Sequence, residues 1–185
     1  MTMDFKHTFE FIINSFEKES LTYALIGGFA LEAVGVVRAT MDIDLLVLAA
    51  DKNKIKSIML SNGYNLLFES NEVINFIGEI DSLGRVDFIL AHRKYTLAML
   101  KRAQKKNILQ GKATIHVVEP EDLIGLKVQA IANDKLRLTQ DLVDIQMIIK
   151  NNSESLDFSR IKEYFELFDK LDDYNSLIND LKNAD

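Results

Sequence analysis

Two aspartates two positions apart open an apolar run in this chain, Asp42-Ile43-Asp44-Leu45-Leu46-Val47, and they constrain it more than any other feature. Alternate side chains of a strand point to opposite faces, so Asp42 and Asp44 share one face while Ile43 and Leu45 enter the core. Two carboxylates brought to one point repel each other unless a cation neutralises them. Hard oxygen donors favour magnesium (Mg2+) or manganese (Mn2+) in that place, the cations that commonly accompany phosphoryl chemistry.

Upstream, Tyr23-Ala24-Leu25-Ile26 reads as a short buried strand and Phe29 to Val34 as a helix, with Gly27 and Gly28 as the turn between them. Glycines there allow unusual dihedrals and close approach by a ligand, and a helix start offers free amides to phosphate. Packing alone also accounts for glycine at such a turn. A third acid, Asp87, stands in another short apolar strand, Gly84 to Leu90. It is either an ordinary strand-end residue or the completion of a metal site, and in the second case it can accept the proton of an attacking hydroxyl.

Taken together, Gly27-Gly28-Phe29-Ala30-Leu31, Arg38-Ala39-Thr40-Met41-Asp42-Ile43-Asp44, Arg85-Val86-Asp87, Glu121 to Lys127 and Asp141-Leu142-Val143-Asp144 resemble the DNA polymerase beta-like nucleotidyltransferase superfamily, and within it the AbiEii toxin-like nucleotidyltransferases. Gly28 stands where many members have a phosphate-binding serine. The resemblance implies an α/β (α+β) nucleotidyltransferase fold: a mixed β-sheet flanked by helices, with a helical C-terminal annex. It implies two-metal transfer of a nucleoside monophosphate from a nucleoside triphosphate (NTP), with Asp42, Asp44 and Asp87 as metal ligands. Catalytic roles fall to these three and Lys127; nucleotide-binding roles fall to Gly27, Gly28, Thr40 and Asp141, while Arg38, four residues before Asp42, is either a phosphate contact or a surface residue. The acceptor is left open among tRNA or another RNA, a protein side chain and an antibiotic hydroxyl. A toxin or antitoxin partner is implied as well, with a catalytically inactive binding module as the alternative.

Lys127 is unusual on its own terms, because Leu123, Ile124, Val128 and Ile131 give its helix an apolar face and the lysine falls within it. Its charge either pairs with Asp141, reaches a nucleotide phosphate, or snorkels to water. Asp141 follows Thr139 closely enough to compensate a helix dipole at the start of the next helix.

The rest of the chain sets the frame. Phe5, Phe9, Ile12 and Phe16 form one helical stripe, and Ile55, Ile58 and Met59 another that ends near Asn62-Gly63. Tyr64 to Phe68, Val73 to Ile80, Ile108-Leu109 and Thr114 to Val118 read as strands. Pro120, the only proline, suits a first helical turn and marks the passage to a helical C-terminal third, so a core over 1–118 and a helical region over 119–185, packed on that core, are expected. Asn151-Asn152-Ser153 is the best linker, and Leu156, Ile161, Phe165 and Phe168 form a stripe available to a homo-oligomer. From Arg93 to Lys112 run seven basic residues and no acid, against a net charge of −6 overall. That run is either a solvated helix face or a contact for a triphosphate or the backbone of an RNA acceptor. No apolar stretch approaches the roughly 20 residues of a membrane span. Cysteine is absent, which excludes thiolate metal sites, and His7, His92 and His116 are scattered. A cytoplasmic protein is expected.

Overall fold

The computed structural model describes residues 3–183 and divides them into two compact units. One runs to Ala33 and resumes over Val37–Val118; the other takes Val34–Val36 and the described chain from Glu119.

The first unit is an α/β fold on a mixed seven-stranded sheet. Its strands are β1 (Tyr23–Ile26), β2 (Asp42–Leu48), β3 (Tyr64–Glu69), β4 (Val73–Gly78), β5 (Arg85–Ala91), β6 (Gln104–Ile108) and β7 (Ala113–Val117), in the order β3-β4-β5-β2-β1-β7-β6. Hairpins join β3 to β4 and β6 to β7, whereas β2 lies parallel to β5 and β1 parallel to β7. The helices are α1 (Phe5–Lys18), α2 (Gly27–Ala33), α3 (Lys52–Leu60) and α4 (Lys94–Arg102). Helix α1 is started by Asp4, whose carboxylate accepts the His7 amide at 3.1 Å, and it buries Thr8, Phe9, Ile12 and Phe16 at three- and four-residue spacing. Phe16 meets Tyr23 edge-on and stacks on Phe88. Those two rings belong to the face of β1 and β5 opposite Ile26 and Asp87, so α1 closes one face of the sheet and the acids belong to the other.

Three local expectations change. Helix α2 starts at Gly27 itself, so the strand passes into the helix with no separate turn. Strand β4 ends at Gly78 rather than Ile80, because the Gly78 amide bonds the Gly84 carbonyl at 2.7 Å and a tight turn over Ile80–Leu83 follows. The basic run is divided: Lys94, Lys101 and Arg102 belong to α4, while Lys105 and Lys106 belong to β6. It is therefore not one helix face.

The second unit consists of α5 (Pro120–Asn133), α6 (Leu138–Asn152), α7 (Phe158–Leu167) and α8 (Leu171–Asn183), with α5 packed on α6 and α7. Asn151 and Asn152 close α6 instead of forming a linker, and their amides donate to the carbonyls of Gly35 at 2.7 Å and Val34 at 3.0 Å. Ile161 and Phe165 are buried within this unit against their neighbours. The stripe proposed for an oligomer is thus largely spent on the unit's own core. Among the described residues, no helix is long and apolar enough to cross a membrane.

Candidate active site

Register brings the acids together. In the β2–β5 pair Asp44 lies opposite Asp87 and Asp42 opposite Arg85, so four side chains form a two-by-two lattice on one face. One oxygen from each of Asp42, Asp44 and Asp87 lies within 4.8 Å of the others, and all three residues are half-buried. Three hard carboxylate donors converging in this way fit a divalent cation of the Mg2+ or Mn2+ type. Arg85 occupies the fourth corner, donating from Nε to Asp87 Oδ1 at 2.9 Å. That bond, with the charges of Asp87, Asp42 and Asp44, holds the guanidinium pKa above its ordinary value.

The glycine pair is fitted to this cluster. Ile26 pairs with Asp44, so Gly27 follows directly beside the carboxylate, at a φ of +65°. A Cβ on Gly27 would stand 2.0 Å from Asp44 Oδ2. A Cβ on Gly28 would stand 2.6 Å from both Cβ and Oγ1 of Thr40. No side chain fits at position 28 because Thr40 fills the space, and Thr40 brings a hydroxyl to the same place. That hydroxyl lies 3.0 Å from Asp42 Oδ1 and 3.3 Å from the Asp42 carbonyl, and its proton serves one or the other.

Two cavities border the cluster, both within the first unit. One, of about 540 Å³, surrounds Gly28 and Thr40 with Lys6, Glu32, Arg38 and Lys112. The other, of about 390 Å³, is lined mainly by apolar side chains, among them Met41, Ile77 and Ile80, together with Asp81 and Arg85. Both volumes lie in the ordinary range for small-molecule sites. Arg38 and Thr40, singled out from the sequence, share the cationic cavity. Lys112, the last residue of the basic run, joins them there, whereas Lys6 and Arg85 were not singled out as site residues, although Arg85 precedes Asp87 by two on a strand and so had to share its face.

Lys127 and Asp141 belong to the second unit. There the Lys127 amine donates to Asp141 at 2.9 Å and to Asp144 at 2.5 Å, while Arg137 Nε donates to the other Asp141 oxygen at 2.8 Å. The lysine side chain is only 10% exposed, and those of Asp141 and Asp144 are 1% and 3%. Burial pushes the Asp141 carboxyl up, but the bonds from Arg137 and Lys127 outweigh it and hold the pKa below its ordinary value. Asp141 is thus a buried ion-pair partner, which goes beyond dipole compensation at a helix start. Asp144 was missed as a partner.

The sequence profile described as "Nucleotidyl transferase of unknown function (DUF2204)" matches residues 95–183. No curated protein matches the chain. Among solved structures, the antibiotic-resistance factor ANT(2'')-Ia in solution is similar over 97% of this chain and 95% of its own, at 14% identity and a TM-score of 0.64. The crystal structure of ANT(2'')-Ia in complex with adenylyl-2''-tobramycin is similar over 88% and 95%, at 15% identity and 0.64. An antigenic nucleotidyltransferase-like protein from Paracoccidioides brasiliensis is similar over 94% and 91%, at 12% identity and 0.54. The chain has the nucleotidyltransferase fold.

Proposed function

We propose that this protein transfers a nucleoside monophosphate from an NTP to a hydroxyl, with the lattice of Asp42, Asp44 and Asp87 as its catalytic centre. The observation that carries the reading is the convergence of three carboxylates on one sheet face of this fold. When bound, a divalent cation supplies charge neutralisation at the phosphates that carboxylates alone would repel.

The chain's own residues take the other parts. Asp42 and Asp44 hold the metal from β2, and Asp87 holds it from β5 and accepts the proton of the attacking hydroxyl. That oxygen bonds to the α-phosphorus as the bond to the bridging oxygen breaks, and pyrophosphate leaves. Gly27 and Gly28 expose backbone to the phosphates. Thr40 supplies the hydroxyl beside Gly28, and Arg38, Lys6 and Lys112 bring positive charge to the 540 Å³ cavity, which suits a triphosphate.

For the acceptor we favour a small molecule. The 390 Å³ cavity beside Arg85 is of small-molecule size and mostly apolar, and the basic run is split between α4 and β6, which weakens the case for one continuous RNA track. The complex of ANT(2'')-Ia with adenylyl-2''-tobramycin is in keeping with a small acceptor on this fold. The test is label transfer from an α-labelled NTP, with Mg2+ or with chelator, to polyhydroxylated small molecules and to an RNA pool. Metal-dependent labelling of small molecules supports the reading. Labelling of RNA alone removes the small-molecule acceptor, and metal-independent labelling removes the proposed centre.

A further inference from the structure

We propose that Arg85 is the built-in counter-ion of the acidic face, holding Asp87 until a divalent cation displaces it. The inference rests on the reading that Asp42, Asp44 and Asp87 bind that cation. Its basis is the lattice: Arg85 pairs across the strands with Asp42, precedes Asp87 by two on the same strand, and so is fixed by register at the open corner of the three acids. From there Nε donates to Asp87 Oδ1 at 2.9 Å.

Three carboxylates this close destabilise a fold unless positive charge is near them. Arg85 supplies it without metal. A cation that takes Asp87 as a ligand competes with the guanidinium for the same carboxylate, and two positive groups then repel each other across the lattice. The arginine has somewhere to go. Its side chain is 46% exposed, and it lines the 390 Å³ cavity together with Asp81. Loading of the metal therefore releases a guanidinium at the wall of the cavity assigned to the acceptor, which makes Arg85 a positioning residue for that cavity as well as a gate on the metal.

The test is calorimetric titration of the whole protein with Mn2+ alone, free of nucleotide. Arg85→Met and Arg85→Gln both remove the charge, so either reads the effect if the other fails to fold. Each is expected to bind Mn2+ about two- to fivefold more tightly than the wild type, the range of a partly exposed ion pair. Arg85→Lys keeps the charge and is expected near the wild type. Lys54→Met, which removes an equal charge from a surface pair with Glu19, is expected to leave the affinity unchanged. Melting supplies the second readout: the two charge-removing variants melt lower than the wild type in chelator, and Mn2+ raises their melting temperature by more. Unchanged or weaker Mn2+ affinity in the charge-removing variants overturns the inference, as does equal loss of melting temperature with and without Mn2+, which is the signature of a merely structural arginine. A wild type that binds no Mn2+ overturns the metal reading of the three acids and this inference with it, so the two failures are distinguishable.

Discussion

Gly27 lacks a side chain at the point where the Asp44 carboxylate lies, 2.0 Å from the position a Cβ would take. The residue that lets the chain leave β1 and the residue proposed to ligate a metal from β2 are therefore parts of one fitted contact. Gly27→Ala pays twice, in a backbone φ of +65° and in displacement of Asp44. The expected loss is about 1–3 kcal/mol from the dihedral alone. Urea unfolding measures it, and Mn2+ titration of the folded fraction is expected to show weakened binding. An unaltered urea midpoint would show that the contact relaxes freely.

The buried ion group of the second unit leads to a different expectation for Lys127 than a surface lysine would. Lys127→Met leaves Asp144 without its amine and Asp141 with Arg137 alone, so a loss of about 3–5 kcal/mol is expected. Adding Asp144→Asn to the same chain is expected to recover part of it. A double-mutant cycle on unfolding measures the coupling; strict additivity would mean that the pair contributes nothing jointly. A Lys127→Met protein that keeps its stability and loses NTP affinity would return the lysine to a nucleotide-binding role.

Acid should find the same group. The Asp141 pKa is depressed from an ordinary 3.8, so its contribution to stability is present above that value and is lost as pH falls through the lower folded value. Asp141→Asn is expected to flatten the part of the stability curve below about pH 4 that belongs to this carboxyl. Unfolding midpoints collected down the acid limb check it, and an unchanged slope there would contradict the assignment.

The basic run separates acceptor classes. Glutamine at Lys101, Arg102, Lys105 and Lys106 together is expected to leave NTP binding and transfer to small hydroxyl compounds near wild type. If RNA is the acceptor, the same substitutions instead weaken RNA binding and flatten its dependence on salt. Filter binding across a salt series decides between them.

Strong periodicity made much of the fold legible. The stripe of Phe9, Ile12 and Phe16 marked α1, the apolar runs around Asp42 and Asp87 marked β2 and β5, and Pro120 marked the first turn of α5. Strand β6 was largely hidden, because Gln104-Lys105-Lys106-Asn107 is an exposed edge with no apolar alternation to show a period of two. The buried face of α6 carries Asp141, Asp144, Ile145, Ile148 and Ile149, so two acids share it with the isoleucines. The signal was available: a lysine inside the apolar face of α5 needs carboxylates, and Asp141 and Asp144 are three apart on one helix face. What sequence spacing could not supply was register. Only the pairing of β2 with β5 sets Asp44 against Asp87 and Arg85 against Asp42.

The most direct measurement of the central claim is the rate of label transfer from an α-labelled NTP, with Mg2+, by the wild type and by Asp42→Ala and Asp44→Ala. Loss of a metal ligand is expected to lower transfer by about a thousandfold or more, with folding intact and melting in chelator unchanged or raised by relief of carboxylate repulsion. Wild-type transfer retained in both variants would contradict the account.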